Sequence, residues 1–502
     1  MKNAIYPALC SAVLCMITNQ HANAAAVSDD SITIYSRMQP GAVSPELYRP
    51  GNGRNMGGNV PGYAIIRHDR PFDIDKGIST LRVTDVAALI DPTTVTFSSL
   101  DRPGTRVLEQ SFQFDLVSQN KLLQKYLGER ISVEQIRGDQ VDIIEGTLMG
   151  IGDGLTLLMD DGSVQALRSY GNLRFAQLPG GLITRPTLEW LIDSPRGGKQ
   201  TTRIAYETQG MTWWADYNIV LDESQGCSMD LSAWVSIINQ SGSSYENARL
   251  KLIAGDVNRA EIPRVRRDVM YKAAVMEAEA AGFAEKTFFE YHMYTLGRRT
   301  DLPNQSTRQL QLFPAAQDME CKKELVFSPT MDMRYFGHQQ FDQNYGRYGN
   351  ADINVFLRFH NDKKSGLGIP MPAGRIRVNQ EDPADGGLEF IGEDVLDHTP
   401  RNEDLLVKMG NAFDVVGERK QTDFRVDTRS RNLWETFEIK LRNHKDSTVD
   451  VVVLENLYRS ANWQIENPSA EFQKESSNRI RFDASIPSEG EVVIRYTAHY
   501  SW

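Results

Sequence analysis

The chain is poor in cysteine, with four in 502 residues. That excludes a small scaffold held by many disulfides. After residue 24 no apolar run approaches the roughly 20 residues that a spanning helix requires, so no transmembrane segment is expected once a leader is removed. Catalytic signatures are missing as well: there is no G-x-S-x-G elbow, P-loop, H-E-x-x-H or C-x-x-C. Positive charge is in deficit, with 55 Lys and Arg against 66 Asp and Glu and a formal net charge of −11. An acidic surface repels nucleic acid and anionic lipid, and neither is expected as a partner. The one basic cluster, Arg264, Arg266 and Arg267, lacks interleaved aromatics and reads as a solvated face.

What the N-terminus does contain sets a compartment. Lys2 supplies a positive start, residues 4–17 are mostly apolar, and Ala22-Asn23-Ala24 places small residues where a signal peptidase reads. Residues 1–24 are therefore expected to be a Sec-type signal peptide cleaved near Ala24, giving a periplasmic or cell-envelope-associated product. Cys10 and Cys15 each follow a leucine, unlike a lipoprotein site. Only Cys227 and Cys321 outlast cleavage. In an oxidising compartment they form either one disulfide or two separately buried thiols, and the sequence leaves both open.

Alternating apolar and polar residues dominate the rest, which is the signature of half-buried strands. The fold class expected is mainly β, with several β-sandwich or barrel-like domains and one helical insertion. A β domain over 25–118 opens with Ser31-Ile32-Thr33-Ile34-Tyr35 and Tyr63-Ala64-Ile65-Ile66-Arg67, separated by a Gly-, Pro- and Asn-rich loop over 41–62. A turn at Asp75-Lys76-Gly77 leads into Ile78 to Val83, expected in the same sheet. Residues 119–180 begin with helical spacing at Leu122, Leu123, Tyr126 and Leu127. Short strands and an Asp160-Asp161-Gly162 turn follow, an order that resembles a small Sm- or SH3-like barrel.

A β-sheet domain is expected over 181–258. From 259 to 345 the composition shifts to a helical and loop insertion, with 271–286 dense in Ala, Glu and Met and 334–350 rich in Tyr, Gln, Asn and Gly. The span 346–502 reads as a C-terminal β-sandwich. Its last strand alternates through Val492, Ile494, Tyr496, Ala498, Tyr500 and Trp502 and reads as a sandwich edge, since an outer-membrane barrel needs many longer, lipid-facing strands. Trp234, Trp434 and Trp463 are expected as core anchors.

Several segments, taken in order, resemble the bacterial domain-of-unknown-function family 4139, distant relatives of the mucoidy inhibitor A proteins. They are Ala88-Leu89-Ile90-Asp91-Pro92-Thr93-Thr94-Val95, Trp213-Trp214-Ala215-Asp216-Tyr217, Ala254-Gly255-Asp256-Val257-Asn258, Phe289-Glu290-Tyr291-His292, Ala373-Gly374-Arg375-Ile376-Arg377-Val378, Asp397-His398-Thr399-Pro400 and Gly410-Asn411-Ala412-Phe413-Asp414-Val415-Val416. The resemblance implies an exported β-rich protein and carries no established reaction. The long coiled coil of the mucoidy inhibitor relatives is lacking here.

Residue chemistry offers little else. Gly51-Asn52-Gly53 and Gly57 miss the spacing of a dinucleotide fingerprint. Asp73-Ile74-Asp75-Lys76-Gly77 starts like a calcium loop, but Thr84 stands where the bidentate Glu belongs. His68, His292, His338, His360, His398, His444 and His499 show no i, i+2 or i+4 pairing, so neither a metal site nor a cofactor is expected. The densest group of acid-base side chains is Glu393, Asp394, Asp397 and His398, followed by Asp414. A carboxylate-oriented imidazole is a general base, but Asp-His-Thr-Pro is more simply read as a turn. The leading expectation is a non-catalytic binding or assembly factor with an envelope protein or polysaccharide partner. The alternative is an envelope hydrolase using Asp397, His398 and Asp414.

Overall fold

The computed structural model describes residues 29–36, 60–114, 117–137, 140–177, 179, 183–223, 226–255, 283–288, 291–330, 338–346, 351–382 and 384–502. The expected leader, most of the expected 41–62 loop and Arg264, Arg266 and Arg267 lie outside them. The protein is mainly β, and its described strands divide among six sheets. Period-two alternation is the cause: in Asn432–Asn443 every second side chain, from Leu433 to Leu441, is buried, as a strand with one face on a core demands.

The first lobe is a sandwich. One sheet runs Phe283–Phe288, Tyr291–Leu296, Tyr245–Ala254, Asp29–Ser36, Gly62–Ile74, Gly198–Gln209, Ile90–Ser99, with Thr300–Leu302 also pairing Tyr245–Ala254. Against it lies a five-stranded sheet in the order Ser306–Glu320, Ser228–Asn239, Met211–Asp222, Gly374–Glu381, Leu388–Leu396. Ile32, Ile34, Ile66, Tyr206, Trp213, Tyr217 and Leu231 belong to the shared core. Gly77–Val83 leaves its expected neighbours and joins a separate three-stranded sheet beside Thr187–Ser194 and Arg106–Gln113. Trp190, on the central strand of that sheet, is fully buried and donates its indole N–H to Gln110.

The second lobe pairs a six-stranded sheet, ordered Asp404–Asn411, Ile353–His360, Lys322–Phe327, Val449–Asn456, Arg479–Ile486, Gln473–Ser476, with a four-stranded sheet, ordered Val415–Asp427, Asn432–Asn443, Glu491–Ser501, Asn462–Glu466. The terminal strand is interior to its sheet, not at an edge, and Ile494, Tyr496, Ala498 and Tyr500 point into the core. The six-stranded sheet serves both lobes. Leu357, Phe359, Leu405 and Val407 belong to the first core, while Phe327, Ile353 and Val451 belong to the second.

A third unit is small. Helix Gln119–Lys125 starts at Ser118, whose hydroxyl accepts the Lys121 amide, and rests Leu123 and Tyr126 on a core with Val133, Leu148 and Leu157. The accompanying five-stranded sheet is open, not a closed barrel: Leu173–Phe175 and Val164–Leu167 are its two edges. With three and four residues, they are too short to build a closing ladder.

Other expectations change for physical reasons. Within the segment expected as a helical and loop insertion, 283–327 contributes strands to three sheets. Residues 283–286 are extended because Phe283 to Phe288 pair with Tyr291 to Leu296; hairpin pairing and burial of Phe283 override the helix propensity of the Ala- and Glu-rich run. The remainder of 271–286 lies outside the described residues. Gly374–Glu381 and Leu388–Leu396, expected in the C-terminal sandwich, instead extend the first lobe, because Gly374–Glu381 pairs in parallel with Met211–Asp222. Trp234 is not an anchor. Alternation buries Ala233 and Val235 and turns the indole outward, 38% exposed. Trp434 and Trp463 are only half-buried, and the buried indoles are those of Trp190, Trp213 and Trp214.

Candidate functional site

Acid-base side chains fall into separate places. Glu393 pairs with Arg377 at 3.3 Å on the surface. Asp394 accepts the Lys408 backbone N–H at 2.7 Å and ties two strands together. His398 Nδ1 accepts the Ala373 N–H at 3.0 Å, and the Asp397 carbonyl accepts the Thr399 hydroxyl at 2.9 Å, so both residues sit in the connection that holds Thr399 against Met371. Asp414 lies beyond the opposite end of Asp404–Asn411, where its carbonyl accepts the His444 amide. Eight residues of strand hold the Asp397–His398 segment and Asp414 about 25 Å apart at the usual rise. No hydrogen bond joins any two of Asp397, His398 and Asp414 among those described. No group of three His, Cys, Asp or Glu side chains forms a metal-ligand set among the described residues.

One constellation escaped sequence reasoning because its members are far apart in the chain. His68, 2% exposed, lies with Nδ1 2.8 Å from Asp30 and Nε2 3.1 Å from the Tyr206 hydroxyl. Arg70 also reaches Nδ1, at 3.0 Å, and the Tyr206 oxygen accepts the Ala87 N–H at 3.2 Å. Carboxylate, imidazole and hydroxyl in that order imitate a nucleophilic triad. Its surroundings argue otherwise: burial drives the Tyr206 phenol well above its ordinary range, which keeps it protonated, and Tyr206 is 1% exposed. The cluster pins Asp29–Ser36, Gly62–Ile74 and Gly198–Gln209 together.

A second buried cluster lies in the C-terminal lobe. Arg419 Nε contacts both Glu455 oxygens at 3.0 Å, and Tyr496 donates to the same carboxylate at 2.6 Å. Arg459 donates to Glu435 at 2.6 Å, to the carbonyls of Gln340 and Asp342 at 3.0 and 2.6 Å, and to that of Tyr345 at 2.7 Å. Arg419 adds the Gly346 carbonyl at 2.8 Å. These two guanidinium groups fasten 338–346, the described part of the expected 334–350 loop, to the sandwich. Gly346 is required there: its φ is +73°, and a Cβ would fall 2.2 Å from the Tyr458 ring.

The concave site is at the junction of the lobes. The chain crosses between sheets at Cys321, and a disulfide with Cys227, Cα atoms 5.0 Å apart, fixes the crossing to the hairpin between Met211–Asp222 and Ser228–Asn239. Next to it opens a cleft of about 270 Å³ with Leu221, Val355, Leu357, Ile391 and Met409 as its apolar lining. Lys323 in its wall is neutralised by both Glu223 oxygens, at 2.7 and 3.1 Å. Lys445 also faces it, and no ion pair to Lys445 occurs among the described residues. A larger depression over 468–472 is walled by that one loop and encloses nothing. An apolar lining with a few polar groups at a domain junction is the usual form of a ligand site. Nothing in the local sequence of Lys323 or Lys445 marks them; Cys321 was the nearest signal.

Residues 202–502 match the family described as Domain of unknown function (DUF4139), and the chain belongs to that family. None of the curated proteins matches it. The matched span takes in the junction cleft and the C-terminal lobe and leaves out the small helix-capped unit.

Proposed function

We propose that this member of the DUF4139 family is an exported, non-catalytic binding or assembly protein of the cell envelope, and that it holds its partner at the junction cleft. The observation that carries the reading is the cleft itself: an apolar lining, one neutralised lysine and one lysine free to meet an anionic group, next to a covalently fixed crossing. Export is supported by the leader pattern of residues 1–24 and by the Cys227–Cys321 bridge, a bond suited to oxidising compartments. An envelope protein or polysaccharide is the partner class. Catalysis by Asp397, His398 and Asp414 gains no support from side chains that sit at opposite ends of a strand.

Two measurements test the reading separately. Osmotic-shock fractionation of a tagged full-length chain should release a product beginning near residue 25; recovery in the cytosol with Met1 intact would remove the export claim. Affinity capture from native envelope should lose its specific co-purifying component in a Lys445→Glu variant. An unchanged set of captured components would remove the cleft.

A further inference from the structure

The strand that borders the cleft has an open side. Leu388–Leu396 ends its sheet and, among the described residues, pairs only with Gly374–Glu381. Its far side meets Asp404–Asn411 of the second lobe. There Asp394 takes the Lys408 N–H, and Gly392 lies so close to Met409 that an added Cβ would be 2.6 Å from the Met409 carbonyl. Towards the N-terminus a bulge interrupts the pairing with Gly374–Glu381, with Gly392 opposite Val378, Phe390 opposite Asn379 and Ile391 the extra residue between them. Residues 388–390 form a ladder with no strand but Gly374–Glu381 among the described residues. Leu388 and Phe390 stand there, each 59% exposed, while Ile391 turns into the cleft. Exposed sheet edges are normally blunted by lysine, proline or a cover, because unpaired main chain recruits another strand. No Lys or Pro stands between 388 and 396.

Charge narrows what could lie here. Glu381 and Glu389 on the two paired strands, with Asp382 and Asp385 in the turn between them, make this end acidic. Arg377 is committed to Glu393. A second copy would set one acidic edge against another in a chain of net charge −11, so self-pairing is opposed.

We infer that residues 388–391 are a strand-addition site for an extended segment of another polypeptide in which apolar and basic side chains alternate. Main-chain hydrogen bonds supply the ladder, Leu388 and Phe390 receive the apolar side chains, and the carboxylates receive the basic ones. The inference rests on the junction being a binding site and names the class of partner.

The test uses the intact protein and a fluorescein-labelled octapeptide of alternating lysine and valine, followed by anisotropy at about 0.15 M salt. Saturable binding is expected, weakened at least tenfold by N-methylation of alternate peptide amides along the pairing edge. Phe390→Asp and Leu388→Asp should each weaken it similarly while leaving the urea unfolding midpoint unchanged. Equal affinity for the N-methylated peptide, or for both variants, would reduce the attraction to charge alone and overturn strand addition. No binding of either peptide would remove the peptide class, whereas the capture experiment with Lys445→Glu still judges the cleft. Sedimentation as a dimer that Phe390→Asp abolishes would assign the edge to a second copy and equally overturn the inference.

Discussion

Arg459 illustrates how much a single side chain holds here. It is 1% exposed, opposite a fully buried Glu435, and its fork reaches three loop carbonyls. Arg459→Met leaves the Glu435 charge buried opposite no cation, a loss of about 3–5 kcal/mol. Arg459→Lys keeps the charge but gives up the planar fork that spans several acceptors, so it should recover only part. Urea unfolding reads the loss, and limited proteolysis should cut 338–346 faster in both variants. An Arg459→Met protein as stable as the parent would show that the loop holds itself. None of this was legible in sequence. Arg459 sits in an unremarkable Leu-Tyr-Arg-Ser run; its loop acceptors are main-chain atoms more than a hundred residues away, and its carboxylate partner Glu435 is on the strand Asn432–Asn443. The same holds for the Asp30–His68–Tyr206 cluster, and for His398 and Thr399, whose partners Ala373 and Met371 lie more than 24 residues away.

Elements were easier to read than residues. Alternation located most strands, and the Asp160-Asp161-Gly162 turn forms where expected, with Gly162 at φ +84°. Misassignment came where pairing overrides local preference: Phe283–Phe288 is drawn into a hairpin, and Gly77–Val83 joins a distant partner. Register with a remote strand leaves no local trace. The disulfide is the clearest element-level case, since two cysteines 94 residues apart could not be placed from sequence. Closing a loop of that length restrains the unfolded chain by about 4–5 kcal/mol in the chain-entropy model. Cys227→Ser with Cys321→Ser should lose a comparable amount in urea unfolding and widen the junction, seen as faster amide exchange in 221–223 and 322–327. A double variant with parental exchange there would mean that the Lys323–Glu223 pair and sheet pairing alone hold the crossing.

At the scale of the whole molecule the lobes are not separable in the way that five expected sequence segments suggest, because the six-stranded sheet supplies side chains to both large cores. The helix-capped unit is different. It has its own core around Leu123, Val133, Leu148 and Leu157, and its ends meet: the Val117 amide donates to the Ile183 carbonyl at 2.9 Å. The flanking strands are already paired, Gln113 with Thr187, so the unit stands where a short hairpin turn would otherwise be. Insertions whose termini adjoin are the ones a host tolerates losing. Replacing residues 115–185 by a two-residue Asn-Gly turn, the favoured connection for such a pair, should yield a folded protein that keeps the Cys227–Cys321 bridge and a cooperative unfolding transition. The octapeptide affinity should also persist, since the edge at 388–391 belongs to the DUF4139 span and the unit does not. An insoluble or non-cooperative product would show instead that the unit buttresses the three-stranded sheet around Trp190, which would make it part of the fold of the first lobe.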